Sequence, residues 1–149
     1  MIEKKRILVV DDDPDILSSL KSILEFKGYM VDTAVNGREA IEKSKSEYYN
    51  LALLDIKLPD MEGTDLLTKM HRTTPKMMKV MLTGYPSLEN AVKSLNLGAD
   101  AYIMKPVKPE VLLKTIEEKL REQSEIESMS EEKVREWMET RLKKIRVEG

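Results

Sequence analysis

The residues of this chain whose types and positions suggest chemistry are Asp11, Asp12, Asp13, Asp55, Thr83 and Lys105, each just beyond an apolar run. Asp55 follows Leu51-Ala52-Leu53-Leu54, a run too short for a helix, which reads as a strand buried on both faces. Pro59 and Gly63 mark the turn beyond it. A carboxylate at the carboxyl end of a buried strand stands where open α/β sheets bind ligands, and Asp55 reads as a nucleophile that accepts a phosphoryl group. Taken alone, it serves equally well as a helix cap or an ion-pair partner. If the other strand ends meet it, several carboxylates share one crevice. Two carboxylates about 4 Å apart repel by roughly 1–4 kcal/mol between bulk water and an effective surface dielectric, so the cluster calls for a cation. Oxygen ligands without Cys or a nearby His favour a hard ion such as Mg²⁺, with Mn²⁺ able to substitute, and no EF-hand spacing points to Ca²⁺. Lys105 can neutralise one phosphoryl oxygen and Thr83 can donate to another while Asp55 attacks phosphorus in line. Separately, each has a plainer reading: three Asp before Pro14 as a helix cap, Thr83 as a turn residue, Lys105 before Pro106 as a solvated charge. Their joint placement argues for the chemistry.

That placement needs a particular set of elements. Apolar runs recur every twenty or so residues: Ile7 to Val10, one opening at Tyr29-Met30-Val31, Leu51 to Leu54, Val80-Met81-Leu82, and Ala101 to Met104. Between them lie helical spacings: Ile16, Leu17, Leu20, Ile23 and Leu24; Ala40 and Ile41 with Lys45 and Tyr48; Leu66, Leu67 and Met70; Leu88, Ala91, Val92 and Leu95. Gly28, Asn36-Gly37, Pro75, Ser87, Gly98 and Pro109 punctuate them as stops, caps and a first-turn proline. Strand alternating with helix predicts an α/β fold, a doubly wound five-stranded parallel sheet with right-handed crossovers. In the flavodoxin-like order 2-1-3-4-5, strands one and three flank the switch point. The second strand ends in the uncharged Val35-Asn36-Gly37, as expected of an edge strand away from the site.

Composition bounds the function. A chain of 149 residues suits one domain, able to bury roughly 68–70% of its extended surface. Cysteine is absent, which excludes disulfides and thiolate metal sites; no apolar run approaches a membrane span and the amino terminus carries no signal segment, so a cytoplasmic location is expected. A net charge of −2 gives no electrostatic reason to expect direct nucleic-acid binding.

The chain resembles the response-regulator receiver domains of two-component signalling, the CheY-like group. The matching stretches are Ile7-Leu8-Val9-Val10-Asp11-Asp12-Asp13-Pro14, Asp55-Ile56-Lys57-Leu58-Pro59-Asp60-Met61-Glu62-Gly63, Met81-Leu82-Thr83-Gly84-Tyr85 and Gly98-Ala99-Asp100-Ala101-Tyr102-Ile103-Met104-Lys105-Pro106. The resemblance implies a phosphorelay protein in which a sensor histidine kinase or phosphotransfer protein phosphorylates Asp55. It implies that Asp12, Asp55 and the backbone carbonyl of Lys57 bind Mg²⁺, with Asp11 acting through water and Asp13 at a usually acidic position. It further implies that Lys105 pairs with the phosphoryl group, that the Lys105-Pro106 bond is cis, and that Thr83 and Tyr102 form a switch. That switch changes the partners of the face made by the fourth helix, fifth strand and fifth helix. Gly84, Tyr85, Lys57 and Pro106 then edge the site. Such a protein is not an enzyme toward other molecules; it catalyses only its own phosphorylation and dephosphorylation.

Residues 1–123 would form the receiver and 124–149 a helical extension. From Val111 to Val147 there is no Gly or Pro, and Leu112, Ile116, Leu120, Ile126, Val134, Trp137, Met138 and Ile145 fall near one helical face. The extension is expected to pack on the receiver or to dimerise; a linker and a fresh helix starting at the Ser128 to Glu131 capping box are the alternatives. A homodimer through the fourth-helix face is the other association to weigh. With no room for a separate effector domain, output through a downstream protein is expected unless the chain is part of a longer regulator. Asp11 and Asp13 also resemble the Asp-x-Asp motif of haloacid-dehalogenase-type phosphatases, in which Asp11 would be the nucleophile and Asp13 the acid/base. Size, the missing cap insertion and the lack of a later acidic pair argue against this. His71 reads as a surface residue and the ten Met as adaptable packing.

Overall fold

The computed structural model describes residues 4–84 and 87–148, with the side chains of these apart from Ser130 and residues 144–148. Elements alternate along the chain: β1 (Arg6–Val10), α1 (Pro14–Phe26), β2 (Met30–Ala34), α2 (Gly37–Ser46), β3 (Leu51–Asp55), α3 (Gly63–Thr73), β4 (Met78–Thr83), α4 (Leu88–Asn96), β5 (Ala101–Met104) and α5 (Pro109–Glu148). The strands form one parallel sheet in the order β2-β1-β3-β4-β5, which puts the carboxyl ends of β1 and β3 side by side at the switch point.

Period-two alternation of apolar side chains supplies both faces of the sheet. Ile7, Val9, Leu51, Leu53, Val80 and Leu82 meet α1 and α5 through Leu17, Leu20, Leu24, Leu112, Ile116 and Leu120. Leu8, Val10, Ala52, Leu54 and Met81 meet α2 and α3 on the other face, through Ala40, Leu66, Leu67 and Met70. The caps follow local chemistry: Asp13, Asn36 and Ser87 each accept a backbone N–H in the first turn of α1, α2 and α4. Gly28 (φ 95°) and Gly98 (φ 107°) supply the left-handed residues after α1 and α4. No helix among the described residues is long and apolar enough to cross a membrane.

Three details depart from the sequence pattern. Tyr48 lies beyond the end of α2 and is exposed, and its neighbour Tyr49 is buried instead, because the chain becomes extended at Glu47 and side chains there alternate rather than follow a helix. On α4, Leu88, Val92 and Leu95 face solvent while Ser94 is buried. The third concerns the tail, where α5 is one helix through Ser128, so no new helix begins at the capping-box spacing. Without Gly or Pro nothing there stops the first helix.

Gln123 marks where α5 stops packing. Its side chain is buried and its amide donates to the Asn50 and Lys76 carbonyls at 2.9 and 2.8 Å, tying the helix to the amino-terminal edge of the sheet. Gln123→Ala is expected to leave those carbonyls short of a donor and to lower stability by about 1–3 kcal/mol. Chemical denaturation of the variant checks this; an unchanged midpoint would show that water replaces the amide at no loss.

Candidate functional site

Backbone pairing carries each acidic side chain to the same rim. Asp11 continues β1 by one residue, its N–H donating to Ala34 O at 3.1 Å, and its carboxylate is buried. Asp55 ends β3 and is held by the next ladder bond, from Ile56 N–H to Leu82 O at 3.0 Å. Thr83 ends β4 and is fully buried, and its carbonyl accepts the Lys105 N–H at 2.7 Å, which fixes the chain just past β5 beside it. The Lys105-Pro106 peptide is cis, as the resemblance implies.

The side chains converge. Lys105 Nζ lies 2.8 Å from Asp11 Oδ2 and 3.3 Å from Asp55 Oδ2. Carboxylate oxygens of Asp11, Asp12 and Asp55 all lie within 4.8 Å of one another. That spread is comparable with the roughly 4 Å across an octahedral Mg²⁺ with oxygens at 2.0–2.1 Å, so the donor set fits a hard divalent ion. Asp13 is turned elsewhere: its carboxylate caps α1 by accepting the Asp15 N–H at 2.9 Å, while its own N–H donates to Asp11 Oδ1 at 2.9 Å. Lys57 donates its N–H to Asp55 Oδ1 at 3.3 Å. Gly84 and Pro106 are exposed at the rim, and Tyr85 lies outside the described residues. Tyr102 is half-buried against the core, and its buried hydroxyl has no hydrogen-bond partner among the described residues. His71 is exposed on α3, away from the rim.

Two residues of the loop after β3 were not legible as positioning groups. The Asp60 carboxylate accepts the N–H groups of Gly37 and Arg38 at 2.9 Å each, and these bonds hold it below the usual carboxylate range. It thereby pins the loop to the amino terminus of α2, where a negative charge is favoured. Gly63 donates to Ile56 O at 2.7 Å, and a Cβ there would fall 2.2 Å from the Asp55 carbonyl oxygen. Only glycine lets α3 start this close to the strand end. The Pro-Asp and Gly of the loop signal a turn, but a partner more than twenty residues away has no local sign.

Electrostatics follow from the convergence. Burial, then the neighbouring Asp11 charge, push the Asp55 carboxyl above its ordinary value, and Lys105 only partly offsets them. Burial works against the Lys105 ammonium, but its hydrogen bond to Asp11 and the two carboxylate charges outweigh that and raise it.

Residues 7–117 match the family model described as the response regulator receiver domain. The chain is 35% identical over 121 residues to the uncharacterized transcriptional regulatory protein YkoG of Bacillus subtilis (strain 168), covering 81% of this chain and 53% of that protein. It is 36% identical over 138 residues to the alkaline phosphatase synthesis transcriptional regulatory protein PhoP of the same organism, covering 93% and 57%. The chain thus spans about half the length of these curated relatives. Among solved structures, the crystal structure of a CheY-like response regulator receiver domain protein from Methanospirillum hungatei JF-1 is similar at 61% identity with a TM-score of 0.81. That match covers 83% of this chain and 98% of the other.

The raised Asp55 value has a sign in stability. Below the ordinary carboxylate range the group is neutral in both folded and unfolded chains. As pH rises from that range through the raised native value, the unfolded chain ionises first and the fold loses stability; the loss is complete above the native value. Asp55→Asn is therefore expected to melt higher than the parent at pH 7, by on the order of 1 kcal/mol or about 2–4 °C. The difference should vanish near pH 3. Melting curves at the two pH values decide it, and a variant less stable at pH 7 contradicts the assignment of strain to this charge.

Proposed function

The chain belongs to the response regulator receiver family of two-component signalling, whose members accept a phosphoryl group, and we propose that the acceptor here is the Asp55 carboxylate. The observation that carries the reading is Lys105 Nζ within 3.3 Å of both Asp11 and Asp55 at the rim where β1 and β3 adjoin. A carboxylate oxygen of Asp55 attacks phosphorus of a phosphohistidine on a sensor kinase or phosphotransfer protein. The P–O bond forms, the P–N bond breaks, and the histidine leaves as a neutral imidazole that keeps the proton already on its other ring nitrogen. Burial and Asp11 raise the energy of the free Asp55 charge, and bond formation to phosphorus relieves this. Lys105, already placed between the two carboxylates, moves its ammonium onto a phosphoryl oxygen. Asp12 and Asp55, with the Lys57 carbonyl and with Asp11 through water, would hold Mg²⁺ or Mn²⁺, which when bound neutralises charge on the carboxylates and the phosphoryl oxygens. In this reading the protein catalyses only its own phosphorylation and dephosphorylation, and it works in the cytoplasm.

Thr83 donates to the new phosphoryl group, and Tyr102 turns in response. The Tyr102 hydroxyl, without a hydrogen-bond partner among the described residues, supports this role, since a buried unpaired hydroxyl costs about 1–3 kcal/mol and favours a second arrangement that satisfies it. The output face is α4-β5-α5. Leu88, Val92 and Leu95 on α4 and Met104 on β5 are all exposed there, an apolar surface fit for a downstream protein or a second receiver. We assign residues 1–123 to the receiver and 124–149 to a helical extension. The relatives named as transcriptional regulators extend well beyond the matched segment, and in a longer regulator this face would act on an attached effector.

The phosphatase alternative is not supported. The family match is to receivers. Asp11 is engaged by Lys105 and by the Asp13 N–H, and Asp13 is exposed and occupied in capping α1, not poised as an acid/base.

Incubation with acetyl phosphate and Mg²⁺ is expected to yield a single labile phosphoryl adduct, located on Asp55 by mass spectrometry and absent from Asp55→Asn. Mg²⁺ alone should raise the melting temperature, by about 2.7 kcal/mol of stabilisation at a hundredfold excess over Kd, and Asp12→Ala should abolish the rise. An adduct on Asp11 would transfer the reading to the phosphatase class, and no adduct at all would leave a docking module.

A further inference from the structure

From Ile126 onward α5 leaves the body of the domain, and Ile126, Val134, Trp137, Met138 and Leu142 are each more than half exposed. At 100° per residue Val134, Trp137 and Met138 continue the stripe that Leu112, Ile116 and Leu120 bury against the sheet, and Ile126 and Leu142 lie at its two opposite edges. Two opposite charges lie in the same stripe, Glu127 near the body and Arg141 far from it. The Arg141 guanidinium sits 4.8 Å over the Trp137 ring, which keeps it on this side of the helix. A groove of about 960 Å³ opens beside the stripe, between α5 and the amino-terminal edge of the sheet, with Tyr48 and Pro75 on one wall and Val134 and Met138 on the other. One turn of helix occupies roughly 500 Å³, taking a 10–12 Å diameter and a 5.4 Å pitch, so the groove holds about two turns.

We propose that its occupant is α5 of a second copy of this chain, running antiparallel about a two-fold axis at Val134. Equal offsets from Val134 put Glu127 opposite Arg141 of the other copy, each within about 20° of the direction in which Val134 points, so both charges are matched. Parallel pairing in register sets Glu127 against Glu127 and Arg141 against Arg141, four like charges in two contacts. The antiparallel pair is isologous and closes, and it leads each distal helix back toward the groove of its partner. The carboxylate crevice lies at the opposite edge of the sheet, so the pairing is independent of Asp55 chemistry.

The chain has no cysteine, so single cysteines at exposed positions report the register. Oxidation of an equimolar mixture of full-length Glu127→Cys and Arg141→Cys is expected to give the mixed disulfide dimer, while neither variant alone cross-links. Sedimentation adds a second measurement that needs no cross-link. Glu127→Arg and Arg141→Glu should each weaken self-association by about tenfold, and the chain carrying both should regain the parent affinity. A cross-linked dimer from Glu127→Cys alone, a double charge variant no tighter than the singles, or a parent chain that stays monomeric at sub-millimolar concentration would each overturn the proposal.

Discussion

Lys105 Nζ stands 2.8 Å from one buried carboxylate and 3.3 Å from another, and the rim of the sheet depends on that ammonium. Asp11 and Asp55 come from strands paired along their whole length, so their approach is imposed by the ladder and cannot be relieved by moving apart. The backbone already charges the fold for two like charges in a half-dry crevice. Lys105 offsets part of this, and the residual strain on Asp55 is what a new bond to phosphorus or a bound cation would relieve. Stability and reactivity at this rim thus have one electrostatic origin.

The surrounding backbone keeps that strain from dissipating. The Lys105 N–H is fixed to the Thr83 carbonyl, which aligns the ends of β4 and β5. Gly63 lets α3 begin against the strand end that carries Asp55, and Asp60 fastens the intervening loop to α2. The Asp55 carboxylate therefore sits on a strand end braced by neighbours on both sides, and pre-organised charge of this kind needs such bracing.

Away from the rim the molecule is less tightly committed. Helix α4 shows its apolar stripe to solvent, and α5 does the same after Gln123. A folded domain rarely leaves two such stripes bare unless something covers them in one of its states. The first adjoins the strand end that would sense phosphorylation, through Tyr102 on β5. The second lies at the opposite edge of the sheet, beyond the reach of the crevice.

Much was determined by the sequence itself. Alternating apolar runs and helical spacings specified the strand and helix order, because a strand buried on both faces and a one-sided helix have different periods. The residues at the strand ends, Asp11, Asp55, Thr83 and Lys105, were legible as a site because a parallel sheet delivers its carboxyl ends to one rim. Local caps at Asp13, Asn36 and Ser87 were readable too, since each acts within one turn of itself. What only the tertiary structure decided lies between distant segments. Asp60 found the start of α2, and Gln123 reached the Asn50 and Lys76 carbonyls and so set the point where α5 leaves the core. Each depends on the distance between groups far apart along the chain, and a linear pattern records which faces are apolar but not how far apart two packed elements come to rest.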